Sequence, residues 1–236
     1  MKKTLATLAA AATLTLPVQA EQFWADNSVS VLNGSSYVEP FAGGGLDPEN
    51  EIGYTTLTLE HVSGHSWGGL FYFVDHHSGD GFTDTYMEFS PSFSLMKTEG
   101  MVSSVNLAYT MESMANLGTN HLFGIGADLK VPGLDFFNAT VYSAKNDGGD
   151  DDTQLTLVYG YSNGNLIIDG FMDYSFGADV AEDQMNFTPQ ITYNVGPALG
   201  LKNKVKVGVE YSYWTGKYGV KDADQNAVSL LIKAHL

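Results

Sequence analysis

The sequence contains no cysteine, so no disulfide can cross-link the fold. Proline is scarce, with 7 in 236 residues, so little interrupts extended segments. Only 11 basic side chains stand against 27 acidic ones, and the formal net charge of −16 argues against nucleic acid as a partner. Beyond the N-terminal segment no apolar run approaches the roughly 18 residues of a membrane-spanning helix. Stability must therefore come from burial and from backbone pairing.

What is present begins with a leader. Lys2 and Lys3 precede an apolar run of small residues from Leu5 to Leu16, Pro17 breaks it, and Val18-Gln19-Ala20 forms a small-x-small cleavage site. This reads as a secretory signal peptide over residues 1–20, with residues 21–236 as one exported domain. All the acidic residues lie beyond the leader, so the exported part is more acidic still. Glycine is frequent (26), and tyrosine and phenylalanine are plentiful (13 each), a composition suited to strands joined by turns.

The body of the chain alternates. "YMEFSPSFSL" sets Met87, Phe89, Pro91, Phe93 and Leu95 against Tyr86, Glu88, Ser90, Ser92 and Ser94. "VNLAYTME", "MNFTPQITYNV" and "KVKVGVEYSYW" repeat the pattern from Val105, Met185 and Lys204, and weaker versions lie near 27–38, 51–62, 66–75, 120–130, 135–145, 153–162 and 165–176. With the closing "NAVSLLIKAHL" the count is twelve strands, each with one apolar and one polar face. If 27–38 runs outward first, the connections alternate in character. One set is short or plain ("VSGHS", "MKTEG", "VPGLD", "SNGN", and the longer "GPALGLKN"). The other is longer and acidic ("EPFAGGGLDPEN", "DHHSGDGFTD", "KNDGGDDD", "GADVAED", "TGKYGVKDADQ"), with "SMANLGTN" as a mild exception.

Two all-β architectures fit such alternation. A soluble sandwich packs its apolar faces together; a transmembrane antiparallel up-and-down β-barrel of twelve strands turns them to lipid. Three features favour the barrel. The polar faces are rich in Gly, Ser, Asn and Thr rather than Lys and Glu. Tyr and Phe cluster near strand ends on the apolar face, as in aromatic girdles. The sequence also closes inside a strand, which in a barrel must pair with the first near 27–38. On this reading Val207 and Ile232 face lipid, Lys206 and Lys233 face the lumen, and a lysine in a wet lumen should be removable at little cost to folding.

Several motifs invite a chemical reading. "GHSWG" at 64–68 fits the nucleophile-elbow pattern around Ser66, but that elbow needs a helix after the turn, and "GLFYFVDHH" reads as a strand. A glycine-rich turn is expected instead. "DHHSGDGFTD" offers Asp75, His76, His77, Asp80 and Asp84. Adjacent histidines point to opposite sides of a strand, so an exposed acidic loop is expected rather than a metal site. "NDGGDDD" lacks the spacing of a calcium loop. "GIGADL" has two glycines of a nucleotide fingerprint and no helix after them. No catalytic residue, cofactor or metal is expected.

The polar face is more informative. It carries Tyr86 and Glu88, Phe171 and Asp173, and Glu210 and Trp214, with Lys206 among a few bases that include Lys130, Lys233 and His235. The facing of 66–75 stays open; if its polar side points inward, Phe71, Phe73 and Asp75 join the set. Rings beside carboxylates suit a flat, polar, uncharged ring that carries hydroxyl groups. The alternative is that these groups only fill and stiffen a small barrel.

The segments "WADNSVSVLNGSSY", "LFGIGADLKVPGLDFFNATVYSAK", "YSYWTGKYG" and "DQNAVSLLIKAHL" occur in an order that resembles the Tsx-like family of nucleoside-specific channel-forming outer-membrane proteins, in its OmpK-type branch. The support is spread along the chain rather than held by one motif. The resemblance implies a monomeric twelve-stranded barrel in the outer membrane of a Gram-negative bacterium and passive uptake of nucleosides; the closing strand, though it ends in Leu236 rather than an aromatic residue, resembles the C-terminal signal by which the barrel assembly machinery recognises such proteins for insertion. In some members the family resemblance implies phage binding at the outer loops. A surface receptor with a closed lumen is the alternative function, and a barrel hydrolase using Ser66 a third.

Overall fold

The computed structural model describes residues 20–79, 81–115 and 117–236. The leader at 1–20 therefore lies almost wholly outside the described residues, as does Asp80. Twelve strands follow one another: β1 (Gln22–Val38), β2 (Glu51–His65), β3 (Gly68–Gly79), β4 (Phe82–Lys97), β5 (Val102–Met114), β6 (Gly118–Leu129), β7 (Phe136–Lys145), β8 (Asp152–Asn163), β9 (Leu166–Phe176), β10 (Gln184–Asn194), β11 (Val205–Thr215) and β12 (Gln225–His235). Each pairs antiparallel with its neighbours in sequence, and β12 closes on β1 through a register that includes Val31↔Ile232. Closure leaves no open strand edge.

The barrel is apolar outside and polar inside. Phe123, Ile125, Val141 and Leu230 are more than half exposed on the outer surface, while Ser30, Asn106, Thr140, Thr192 and Ser229 are buried against the inner wall. A sandwich would bury the first set, so this arrangement excludes it. The large aliphatic groups buried on the inner face include Leu32, Leu122 and Leu231. Leu231, the one large apolar residue on the polar side of the last strand, is 1% exposed and sits between Leu32 and Gly208.

The rim that holds residues 21 and 236 also carries the turns after β2, β4, β6, β8 and β10; the opposite rim carries the remaining loops. Two expectations change here. The "DHHSGDGFTD" segment is not a loop. β3 runs through Asp75, His76 and His77 to Gly79, β4 starts at Phe82, and the pair His77↔Asp84 lies within the ladder. Asp75 and His77 give it the look of a loop because they face a polar interior: Thr58 Oγ1 donates to Asp75 Oδ1, and Thr56 Oγ1 hydrogen-bonds His77 Nδ1 at 2.9 Å. Lys130, expected in the lumen, is exposed in the turn after β6, where its backbone N–H donates to Met101 O at 2.7 Å.

Gly208 shows how tightly the wall is drawn. It pairs with Thr192 on one side and Leu231 on the other, and a Cβ at this position would collide with the carbonyl oxygen of Ile191 and with Thr192 Cα. Backbone cannot retreat without breaking the β10–β11 ladder. Gly208→Ala is expected to cost about 1–3 kcal/mol, as overpacking does elsewhere. Urea unfolding in phospholipid vesicles measures it, and an unshifted midpoint would mean that the strands separate freely at this point.

Candidate functional site

Period-2 geometry sends Phe71, Phe73, Asp75 and His77 inward from β3, while Tyr72 and His76 point out and are exposed. Across the ladder, Asp75 faces Tyr86 and Phe73 faces Glu88; Glu88 in turn faces Glu112 on β5. The three rings form a ladder of their own: Phe73 stands 5.6 Å from Phe71 and 5.7 Å from Tyr86, both tilted. Tyr86 Oη donates to Glu88 Oε1 at 2.7 Å. Asn120 Nδ2 donates to Glu112.

The other half of the wall adds more acid. On β9, Phe171 faces Val158 and Thr188, and Asp173, two residues on, accepts from Thr156 Oγ1 at 2.6 Å. Asp173 lies within electrostatic range of Glu88 and Glu112 across the lumen. Glu210 on β11 accepts from Gln190 Nε2 at 2.8 Å and feels both Asp75 and Asp169. Asp75, Glu88, Glu112, Asp173 and Glu210 are thus each hydrogen-bonded to an uncharged donor. The luminal lysines are committed elsewhere: Lys206 Nζ to Asp169 Oδ2 at 3.1 Å, and Lys233 Nζ to Glu60 Oε1 at 2.7 Å. The wall is therefore rich in carboxyl groups, with aromatic rings set into it.

The sequence-derived candidates do not all meet. Phe71, Asp75, Tyr86 and Glu88 form one patch, and Asp173 and Glu210 face it electrostatically. Lys206 stands apart at the short-turn end of β11. It is 5% exposed and tied to Asp169, so the expected indifference to its removal is corrected: Lys206→Ala would strand Asp169 beside a buried gap. Trp214 lies at the other end, where its Nε1 donates to Gln184 Oε1 at 3.1 Å. Lys217 Nζ sits 4.9 Å from its ring centroid, and Tyr218 meets it edge-on at 5.1 Å, so much of this ring is already occupied.

That last contact belongs to a cluster the sequence did not reveal. After β11 the chain turns inward through Lys217–Gly219, with Tyr218 at φ 59. Lys217 Nζ, almost wholly buried, bridges Glu39 Oε1 at 2.8 Å and Gln225 Oε1 at 2.9 Å. Tyr54 Oη also donates to Glu39 Oε1, at 3.0 Å. Burial pushes the Lys217 amine below its ordinary pKa, and the Glu39 carboxylate pulls it back up. Burial, then the charge of Glu39, pushes the Tyr218 phenol well above its usual value. The cluster fixes two loops across one side of the long-loop mouth. Glu112 was also missed, although it lies on the polar face of "VNLAYTME"; Glu39 and Lys217 lie in loops where no periodicity marks them.

Ser66 occupies the two-residue turn between β2 and β3. Its Oγ accepts from the backbone N–H of Glu21 at 3.2 Å, and its own N–H donates to Glu21 O at 2.8 Å, so it acts as a turn residue.

No protein-family model matches the chain, and no curated protein matches it. Among solved structures it is similar to KdgM porin, with a TM-score of 0.54 and 11% sequence identity over 88% of this chain and 98% of that chain. KdgM porin in complex with disordered oligogalacturonate gives the same figures. NanC porin matches with a TM-score of 0.55 and 11% identity, over 88% of this chain and 100% of that one. At such identity the likeness is one of fold: the chain has the closed antiparallel barrel of porins.

Proposed function

We propose that this protein is a passive channel of a Gram-negative outer membrane that passes small polar solutes, with nucleosides as the preferred class. The observation that carries the reading is the inner wall, where aromatic rings and carboxylates alternate across adjacent strands. The apolar outer surface supports the membrane setting, and the resemblance to Tsx-like sequences supports the solute class.

Phe71, Tyr86 and Phe171 offer faces on which a base can slide, while Asp75, Glu88, Asp173 and Glu210 accept from its hydroxyl and amino groups. Each contact is weak, as a channel that must release its solute requires. A wall so rich in carboxyl groups, its lysines already paired, disfavours anions such as the oligogalacturonate seen with KdgM porin, whatever the likeness of fold. No chemistry is needed for passage, and the concentration gradient drives it.

The test is ion current through single molecules in planar bilayers, with adenosine or uridine added. Nucleosides are expected to block the current in proportion to concentration, and sugars of similar size are not. Phe171→Ala is expected to weaken the block by the worth of one stacked base, about 1–3 kcal/mol. A second reading, a receptor barrel with a closed lumen, is favoured by the buried Glu39–Lys217 cluster across the mouth. Complete absence of conductance would decide for it.

A further inference from the structure

The outer face of β1 and β2, close to the short-turn rim, carries a chain of polar side chains that the channel does not use. His61 and Ser63 stand two residues apart on β2 and so share the outward face of Leu57 and Leu59. Asn27 stands opposite His61 on β1. Asn27 Oδ1 lies 2.8 Å from His61 Nδ1, His61 Nε2 lies 2.9 Å from Ser63 Oγ, and Ser63 Oγ lies 2.8 Å from His65 Nε2.

The order of atoms is what makes this more than a polar patch. Asn27 Oδ1 has no proton to give, so Nδ1 of His61 carries one and donates it. Nε2 is then a lone-pair acceptor, and Ser63 Oγ–H is its donor. Oγ in turn accepts from Nε2–H of His65. That is the sequence of nucleophile, base and orienting group found in hydrolases on unrelated folds, recognised by geometry rather than position in the chain. Both imidazoles are held by rings: Tyr72 stacks on His61 at 4.7 Å and Trp67 on His65 at 4.9 Å, with Phe93 5.1 Å from Trp67. An aromatic girdle of this kind marks the level at which a bilayer turns from hydrocarbon to water, which is where lipid esters lie.

We propose that Ser63 is the nucleophile of an acyl-ester hydrolase site on the outside of the barrel, with His61 as general base and Asn27 as the positioning residue, and that its substrate is the carboxylic ester of a membrane lipid. The choice of a lipid ester rests on the membrane reading above. Ser63 Oγ adds to the ester carbonyl carbon while its proton passes to His61 Nε2. The bond from that carbon to the alcohol oxygen then breaks, and His61 returns the proton to the leaving alcohol. Water gives a proton to His61, adds to the acyl-Ser63 carbonyl, and expels the serine oxygen, which recovers its proton. The net reaction is ester plus water to carboxylic acid plus alcohol. In the resting structure Ser63 is 1% exposed beneath the two imidazoles. Attack therefore requires His65, the last residue of β2, to swing off the hydroxyl beside the 66–67 turn. Its Nε2–H, released from the hydroxyl, is then free to donate to the oxyanion that forms.

The experiment is labelling of purified, folded protein with a fluorophosphonate, read by mass spectrometry, together with fatty-acid release from phosphatidylethanolamine–phosphatidylglycerol vesicles. The label is expected on Ser63. It should vanish in Ser63→Ala and persist in Ser66→Ala. His61→Gln should slow fatty-acid release by a factor on the order of 10³ or more. Asn27→Asp, which keeps an acceptor for Nδ1–H, should retain activity, while Asn27→Leu loses it at unchanged heat stability. No label on folded wild-type protein, or equal label on Ser63→Ala, overturns the site. Hydrolysis of p-nitrophenyl butyrate without fatty-acid release from vesicles overturns the lipid substrate. Labelling in detergent does not require conduction, so failure here and failure of the channel reading are told apart.

Discussion

Replacing Glu39 by Gln is expected to destabilise the folded barrel by about 3–5 kcal/mol, because the change leaves the Lys217 ammonium buried without a counter-charge. The contacts explain the size. Lys217 is almost wholly buried; its charged partner is Glu39 at 2.8 Å, and Gln225 supplies only a neutral acceptor. Desolvation of an unpaired ion inside a protein costs several kcal/mol, and the glutamine amide cannot offset it. Lys217→Met added to Glu39→Gln should recover most of the loss, since a pair replaced by neutral groups of similar size often folds as well as the original. The pH dependence has a definite sign. Burial holds the folded-state pKa of Lys217 below the ordinary 10.5, so between the two values the unfolded chain binds more protons and stability rises with pH. Without Glu39 the folded value drops further, and the rise begins at lower pH. Urea titrations in vesicles at several pH values measure both effects. A single-variant loss under about 1 kcal/mol, or a double variant no better than the single, would show that the pair carries no such burden.

The strands were legible because a barrel wall has two uniform environments. Lipid selects apolar groups at every second position and the lumen selects polar ones, so period-2 alternation survives in nearly every segment. The same uniformity hid the ends of β3 and β4. A strand end whose inner face reads Asp, His and Gly has the composition of a loop, and only the partners Thr56 and Thr58 on β2 show otherwise. The facing of 66–75 was unreadable because rings occupy both sides: Phe71 and Phe73 turn in, Tyr72 turns out. Alternation placed Glu88, Asp173 and Glu210 on the inner wall, but it could not say which carboxylate each lysine neutralises, since ladder neighbours are distant in sequence. The Lys217–Glu39 pair spans 178 residues between two loops. In the same way "GHSWG" drew attention to Ser66, whereas the hydroxyl that meets imidazole is Ser63, whose orienting group on β1 lies 34 residues from His61.

Leu230→Arg should cost about 2–4 kcal/mol in vesicles, the price of a cation facing lipid near the middle of a bilayer. Leu230 is 70% exposed on the outer surface, half-way along β12, with Val209 beside it. Val207, which points the same way, lies two residues inside the short-turn end of β11 and is paired with Ile232 and Tyr193. At about 6.6–6.8 Å from the strand end, an arginine there can reach the headgroup region with its guanidinium. Val207→Arg should therefore cost less, toward the 0–1 kcal/mol found near interfaces. The difference between the two positions is the decisive quantity. An exposed apolar residue on a protein in water tolerates arginine at little cost, so near-zero values at both sites would mean that the outer surface does not face lipid. Large equal values would point to burial against protein instead. Only a cost that falls with distance from mid-strand matches a hydrocarbon layer around the barrel, and reading it needs no knowledge of the solute that passes through.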